Sequence, residues 1–248
     1  MAMYTNLGLV EHAKTALKLD TKYMWGGILR LIEKCYDQLK DYYGNLAGTG
    51  YTNARWAELK RLMGKNVYGC DCVGLIKSYY WSGKQNGGTG SPNYGQAGFP
   101  DVNANLMYNA AKVKGKISTM PEVPGLIVYC KTHPHVGVYI GDGWVIESTL
   151  GARGDGVVRT RLDAFGWEYW MECPYIEYVK QSTSAVTFKT NDKVQIKKTA
   201  TNYAGAGKNV KIPSYVKNKT FTIINVKGDM SLIKEIYSWV NNSDLVKV

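Results

Sequence analysis

The chain has 248 residues, of which 45 % are hydrophobic and 21 % charged, a balance that excludes disordered and collagen-like proteins. Its longest apolar run is about eight residues, near Leu126, too short for a helix that spans a membrane. The net charge of +11 is unevenly placed: residues 186–248 hold 11 Lys, no Arg and 4 acidic residues, a net +7 that predicts an anionic partner.

Helical spacing of Leu9, Val10, Ala13 and Leu17 predicts an amphipathic helix over 7–19, with His12 on its solvated side. A second helix is predicted over 28–43, with Ile28, Ile32, Cys35, Leu39 and Tyr42 on one face and Gly44 as C-cap. A third runs from an Asn53 cap to Gly64, and residues 72–82 read as a buried helix. The Gly-, Asn-, Ser- and Pro-rich stretch 83–105 reads as a long loop, followed by a short helix capped by Asp101. From Pro124 onward, short β-branched or aromatic runs at 126–129, 135–140, 144–147 and 156–160 read as strands, with Gly141-Asp142-Gly143 as a hairpin turn. Helices first and strands later predict an α+β domain with an antiparallel sheet over residues 1–180. A Ser/Thr-rich linker at 181–185 leads to residues 186–248, whose strand-like pieces at 193–198, 220–226, 231–236 and 237–240 predict a small all-β barrel.

All five cysteines (Cys35, Cys70, Cys72, Cys130, Cys173) and all three histidines (His12, His133, His135) precede residue 174. An odd count of cysteines, and no basic start followed by an apolar core in the first twenty residues, point to free thiols made in a reducing cytosol. Cys35, Cys130 and Cys173 read as core residues. Cys72 opens a predicted helix, where exposed N–H groups and the positive end of the dipole stabilise a thiolate. His135 opens a strand, and hairpin pairing brings residues 145–148 alongside it, with Glu147 the charged member. Nucleophile, base and orienting carboxylate are the parts of a cysteine hydrolase.

Three motifs in order carry a resemblance: Tyr23-Met24-Trp25-Gly26-Gly27, then Asp71-Cys72-Val73-Gly74, then Pro124–Tyr129 followed by His135-Val136-Gly137-Val138-Tyr139-Ile140-Gly141. Over residues 23–178 the chain resembles the papain-like cell-wall cysteine peptidases of the NlpC/p60 superfamily. The resemblance implies Cys72 as nucleophile, His135 as general base, Glu147 as third member and Tyr23 as a phenol near the oxyanion, with Trp25 beside the substrate. It implies hydrolysis of a stem-peptide amide of peptidoglycan, between D-glutamyl and a diamino acid, without a cofactor or metal. Asp71 is either the partner of a substrate ammonium or a helix cap. Arg153 and Arg159 either meet stem-peptide carboxylates or are solvated. Val73 stands where the family usually has serine, Glu147 where it often has His, Asn or Gln, and residues 28–70 form an unusually long insert.

The tail resembles bacterial SH3-like wall-binding modules through residues 212–220 and 236–240, which implies Tyr215, Tyr237 and Trp239 as wall contacts, against a bland reading as core. Its lysines suit teichoic-acid phosphates. A wall hydrolase without a secretion signal must be released from the host cytoplasm by another route, such as phage holins, so a phage or prophage endolysin is expected. No membrane or nucleic-acid partner is expected, and the sequence leaves the oligomeric state open. Three rival readings remain: an amidase or cross-bridge endopeptidase on the same fold; a structural zinc held by Cys70, Cys72, His133 and His135; and a nucleic-acid-binding protein favoured by the basic charge.

Overall fold

The computed structural model describes residues 4–44, 52–81, 95, 98–179, 188–217 and 219–248. The chain divides into two compact units, Met1–Val179 and Lys180–Val248. The linker expected at 181–185 lies outside the described residues, as does most of the loop expected over 83–105. No helix among the described residues is long and apolar enough to cross a membrane.

The first unit is α+β. Helix α1 (Asn6–Ala16) is capped by Thr5, whose side chain accepts from the Gly8 N–H. Strand β1 (Thr21–Tyr23) runs parallel to β3 (Tyr68–Cys70), and β2 (Ile28–Leu31) pairs antiparallel with β3, giving a sheet ordered β1-β3-β2. Between β2 and β3 lie helices α2 (Tyr36–Tyr43) and α3 (Asn53–Lys60). Helix α4 (Cys72–Trp81) follows β3 directly and is buried along most of its length. After α5 (Ala104–Ala110) come β4 (Lys114–Lys116), β5 (Ile127–Cys130), β6 (His135–Gly141), β7 (Trp144–Gly151), β8 (Gly154–Arg161) and β9 (Tyr169–Met171). These six strands form one antiparallel sheet in the order β4-β9-β5-β6-β7-β8. One face of the sheet buries Ile127, Val136, Val138 and Ile146 in a core shared with Leu75, Ile76 and Tyr80 of α4 and Leu9 and Ala13 of α1.

Several boundaries differ from the sequence reading. The predicted helix over 28–43 is helical only at Tyr36–Tyr43. Its first part is strand β2, because the turn at Gly26-Gly27 folds the chain back onto β3, with a register shift after Ile28 and Leu29 at φ 58°. Tyr42 is therefore exposed rather than core. Thr52, not Asn53, caps α3, and Asn103, not Asp101, caps α5. His12 is fully buried rather than solvated: Nε2 lies 2.7 Å from Ser78 Oγ and 3.2 Å from the Leu75 carbonyl, tying α1 to α4. Burial pulls its pKa down to about 4, against the opposing pull of the Leu75 carbonyl.

The second unit holds β10 (Lys193–Ile196), β11 (Thr220–Lys227), β12 (Met230–Ile233), β13 (Ser238–Asn241) and β14 (Leu245–Lys247). They form an antiparallel sheet ordered β13-β12-β11-β10-β14. Phe188, Val194, Ile196, Phe221, Ile223, Ile233 and Val240 form its own core.

Candidate active site

The site begins with a helix N-terminus. Asp71 occupies the cap position of α4, and its carboxylate accepts from the Gly74 N–H at 2.5 Å and from the Gly26 N–H at 2.7 Å. Its backbone N–H in turn donates to the Gly27 carbonyl at 3.0 Å. Burial raises the Asp71 pKa, while Lys77 and these backbone N–H groups act in the opposite direction. The cap thus ties the Gly26-Gly27 turn to the first turn of α4, while Asp71 also lines the cleft.

Glycine is required on both sides of this junction. A Cβ on Gly74 would stand 1.8 Å from the Gly27 carbonyl oxygen, and one on Gly27 would stand 2.7 Å from the Met24 oxygen and 2.9 Å from the Cys70 nitrogen. Gly26 has φ 74°, in the left-handed region that favours glycine. Parallel pairing then sets Tyr23 opposite Cys70, two residues before Cys72. Ser148 of β7 closes the arrangement by donating to the Cys70 carbonyl at 2.7 Å.

Cys72 is the first residue of α4 and lines a cleft of about 970 Å³. Tyr23, Trp25, Asp71 and Val73 share that lining, and Pro134 brings the start of β6 to its edge. The insert contributes a wall through Gln38, Leu39, Asp41, Tyr42 and Tyr43 of α2. Lys77 and Asp101, also in the cleft, form an ion pair at 2.5 Å.

His135 stands behind Cys72. Its Nε2 lies 2.6 Å from Glu147 Oε2, and Cys72 is close enough to act on the charge of the imidazole. Burial pulls the His135 pKa down, but the negative charge and hydrogen bond of Cys72, then those of Glu147, outweigh it and raise the value to about 9. The imidazole stacks on Trp167 at 5.5 Å between centroids, with the edge of Phe165 at 5.6 Å.

Glu147 has no exposed surface, yet it is ionised. Burial favours its neutral form, but hydrogen bonds from His135, Arg153 and Thr160 bring its pKa down to about 2. Arg153 donates through Nε at 3.1 Å and Nη2 at 3.1 Å, and the Thr160 hydroxyl donates at 2.7 Å. The Arg153 guanidinium also lies 3.8 Å from the Phe165 ring centroid.

The structure therefore brings together Cys72, His135, Glu147, Tyr23, Trp25 and Asp71. Arg153, one of the two arginines read as meeting stem-peptide carboxylates or solvent, donates through Nε and Nη2 to Glu147 and through Nη2 to Thr149. Arg159 lies over the Trp144 ring at 4.5 Å. Thr160, Ser148, Phe165 and Trp167 were not legible as site residues. Thr160 carried one usable signal, because strand alternation puts it two residues from Val158, the partner of Glu147 across β7 and β8.

The zinc reading loses its ligand set. Among the described residues no group of three or more His, Cys, Asp or Glu side chains is placed to hold a metal. Cys70 is fully buried, and burial and then the Asp71 charge push its thiol pKa well up. Cys35, Cys130 and Cys173 are buried free thiols.

In the second unit Tyr215 and Tyr237 are 72 % and 79 % exposed. Tyr237 has φ 46°, in the turn before β13. Trp239 of β13 is half-buried, and its carbonyl accepts from the Ala204 N–H at 2.7 Å. The bland reading as core holds for neither tyrosine.

No protein-family model and no curated protein matches the chain. Among solved structures, the P60 domain of an antigen from M. avium subspecies paratuberculosis is similar at 18 % identity, covering 70 % of this chain and 98 % of that one with a TM-score of 0.38. A likeness of that size assigns neither fold nor activity, and the reading of the site rests on its own geometry.

Proposed function

We propose that the first unit is a cysteine peptidase of the NlpC/p60 type that hydrolyses a stem-peptide amide of peptidoglycan. The observation that carries this reading is Cys72 at a capped helix N-terminus in an open cleft, near an imidazole that a buried glutamate holds at 2.6 Å. In the first step the Cys72 thiol proton passes to His135, Sγ forms a bond to the amide carbonyl carbon, and the carbonyl π pair moves onto oxygen. The backbone N–H of Cys72, which has no intrahelical acceptor at the first position of a helix, and the Tyr23 phenol are the donors assigned to that oxyanion. Collapse breaks the C–N bond as His135 gives its proton to the leaving amine. Water, deprotonated by His135, then attacks the thioester, and the C–S bond breaks to free the acid and the thiolate.

The bond between D-glutamyl and a diamino acid follows from the motif resemblance. The basic second unit, with its exposed Tyr215 and Tyr237, is proposed to hold the enzyme on an anionic wall, as in a lytic enzyme of the endolysin type. The experiment is digestion of purified peptidoglycan with mass spectrometry of the released fragments. The expected result is a new amine terminus on a diamino acid, reduced by at least about a thousandfold in Cys72→Ala. Hydrolysis that survives in Cys72→Ala overturns the nucleophile, and fragments cut at the sugar–peptide amide or in the cross-bridge reassign the bond.

A further inference from the structure

Tyr23 ends the edge strand of the sheet ordered β1-β3-β2, so its own N–H and C=O point away from β3. Both are held by one ion pair. Its N–H donates to Asp155 Oδ1 at 3.0 Å, and its C=O accepts from Arg55 Nη2 at 2.6 Å. Arg55 and Asp155 are joined as a fork, Nη2 to Oδ1 at 2.6 Å and Nη1 to Oδ2 at 3.0 Å. Arg55 is 8 % exposed and belongs to α3 of the insert; Asp155 belongs to β8 of the large sheet. Glu58, one turn along α3, accepts from the same Nη1 at 2.8 Å, and Lys22 Nζ lies 3.2 Å from Asp155 Oδ2.

We infer that Arg55 is a positioning residue: through Asp155 it fixes the backbone of Tyr23 and hence the phenol beside Cys72, so that the insert over 28–70 is part of the catalytic unit. The inference rests on the peptidase reading for what Tyr23 does, and on the geometry alone for what Arg55 holds. A buried ion pair is by itself weak evidence of stabilisation. What separates this one from a structural pair is its destination, since both outward backbone groups of one cleft residue end on it. A planar guanidinium can bond the carboxylate twice and the carbonyl at the same time, a geometry that a lysine ammonium does not reproduce.

The test compares Arg55→Met, Arg55→Lys, Asp155→Asn, Tyr23→Phe and the Tyr23→Phe/Arg55→Met pair in the full chain. Kinetics use soluble muropeptides, and amide hydrogen exchange follows the peptide spanning residues 21–25. Arg55→Met is expected to lower kcat about tenfold with KM within about twofold, and Arg55→Lys to recover part of the loss. Exchange over 21–25 is expected to quicken at least about tenfold. In the Tyr23→Phe background the same change is expected to cost less than about twofold, because the two act as one unit. A second full tenfold loss there, or exchange left at the wild-type rate, overturns the inference. If Arg55→Met does not melt cooperatively, Asp155→Asn, which keeps an acceptor for the Tyr23 N–H but removes the charge that orients Arg55, decides by the same measurements. A wild-type chain without Cys72-dependent hydrolysis defeats the peptidase reading, and the exchange result then decides the clamp independently.

Discussion

Glu147 gives up contact with water and receives donors from three side chains: His135, Arg153 and Thr160. Its pKa falls from 4.5 to about 2, so its stabilising contribution is full above pH 4.5 and fades as pH falls through about 2. His135 rises from 6.5 to about 9, so its contribution is full below pH 6.5 and is lost as pH rises through about 9. Both are whole between those inner limits. In the proposed mechanism a proton on His135 reaches the leaving amine, so kcat is expected to fall on the alkaline side with an apparent pKa near 9. Arg153→Gln removes the cation beside Glu147, which raises the Glu147 pKa; Glu147 stays ionised where His135 titrates, so loss of a neighbouring like charge raises the His135 pKa as well. A pH–rate profile should then show the alkaline limb displaced toward higher pH, and a limb left in place or moved toward acid refutes the role of Arg153. Cys72, His135 and Glu147 were legible because each sits in a local pattern: a helix start, a strand start and a hairpin partner. Arg153, Phe165 and Trp167 were not, since their roles arise only where the turn after β7 and the segment after β8 fold back over His135. His12 was misread although the signal was present, because position 12 shares its helix face with buried Leu9, Ala13 and Ala16.

At the scale of elements, the approach of the Gly26-Gly27 turn to α4 decides where Cys72 stands. The missing Cβ of Gly74 is what lets the Gly27 carbonyl reach the helix, so Gly74→Ala should part the two elements. A loss of about 2–4 kcal/mol is expected from the urea midpoint, as for other backbone clashes in a packed core, and a loss under about 0.5 kcal/mol would show that the turn can shift freely. The same turn explains the largest error of the sequence reading. The spacing of Ile32, Cys35 and Leu39 is helix-like and those residues are buried together, but Ile28 belongs to a strand, and periodicity does not register a chain reversal two residues upstream. Strand β14 was invisible for another reason: three residues are too few to show alternation, and only pairing with β10 defines them.

On the scale of the whole molecule, charge and chemistry are divided between the two units. Residues 186–248 carry a net +7, whereas among the described residues the cleft of the first unit is lined by Asp41, Asp71 and Asp101 against the cation Lys77. If the second unit serves to hold the enzyme on a wall, removing residues 180–248 should depress lysis of whole cells by at least about tenfold while cleavage of soluble muropeptides changes less than about twofold. Turbidity and fragment assays on the same preparations measure this, and equal losses in both would show that the basic unit is not an anchor. The α+β class was legible from the order of helices and strands. The route by which residues far apart in sequence, such as Arg55, Tyr23 and Asp155, come to share one ion pair was not, because no local pattern encodes a contact 100 residues apart.

The turn between β7 and β8 joins these scales. Gly151 pairs with Gly154, which leaves Ala152 and Arg153 as a two-residue connection, and only Gly154 separates Arg153 from Asp155. Arg153 reaches back to Glu147 and Asp155 reaches across to Tyr23, so one short hairpin end supports both arms of the cleft. In a hairpin, loop length fixes strand register. Insertion or deletion of a single residue here would therefore misplace the proton-transfer arm and the phenol arm in one event. Among natural variants of this chain, the turn is expected to change in sequence at Ala152 but to keep its length.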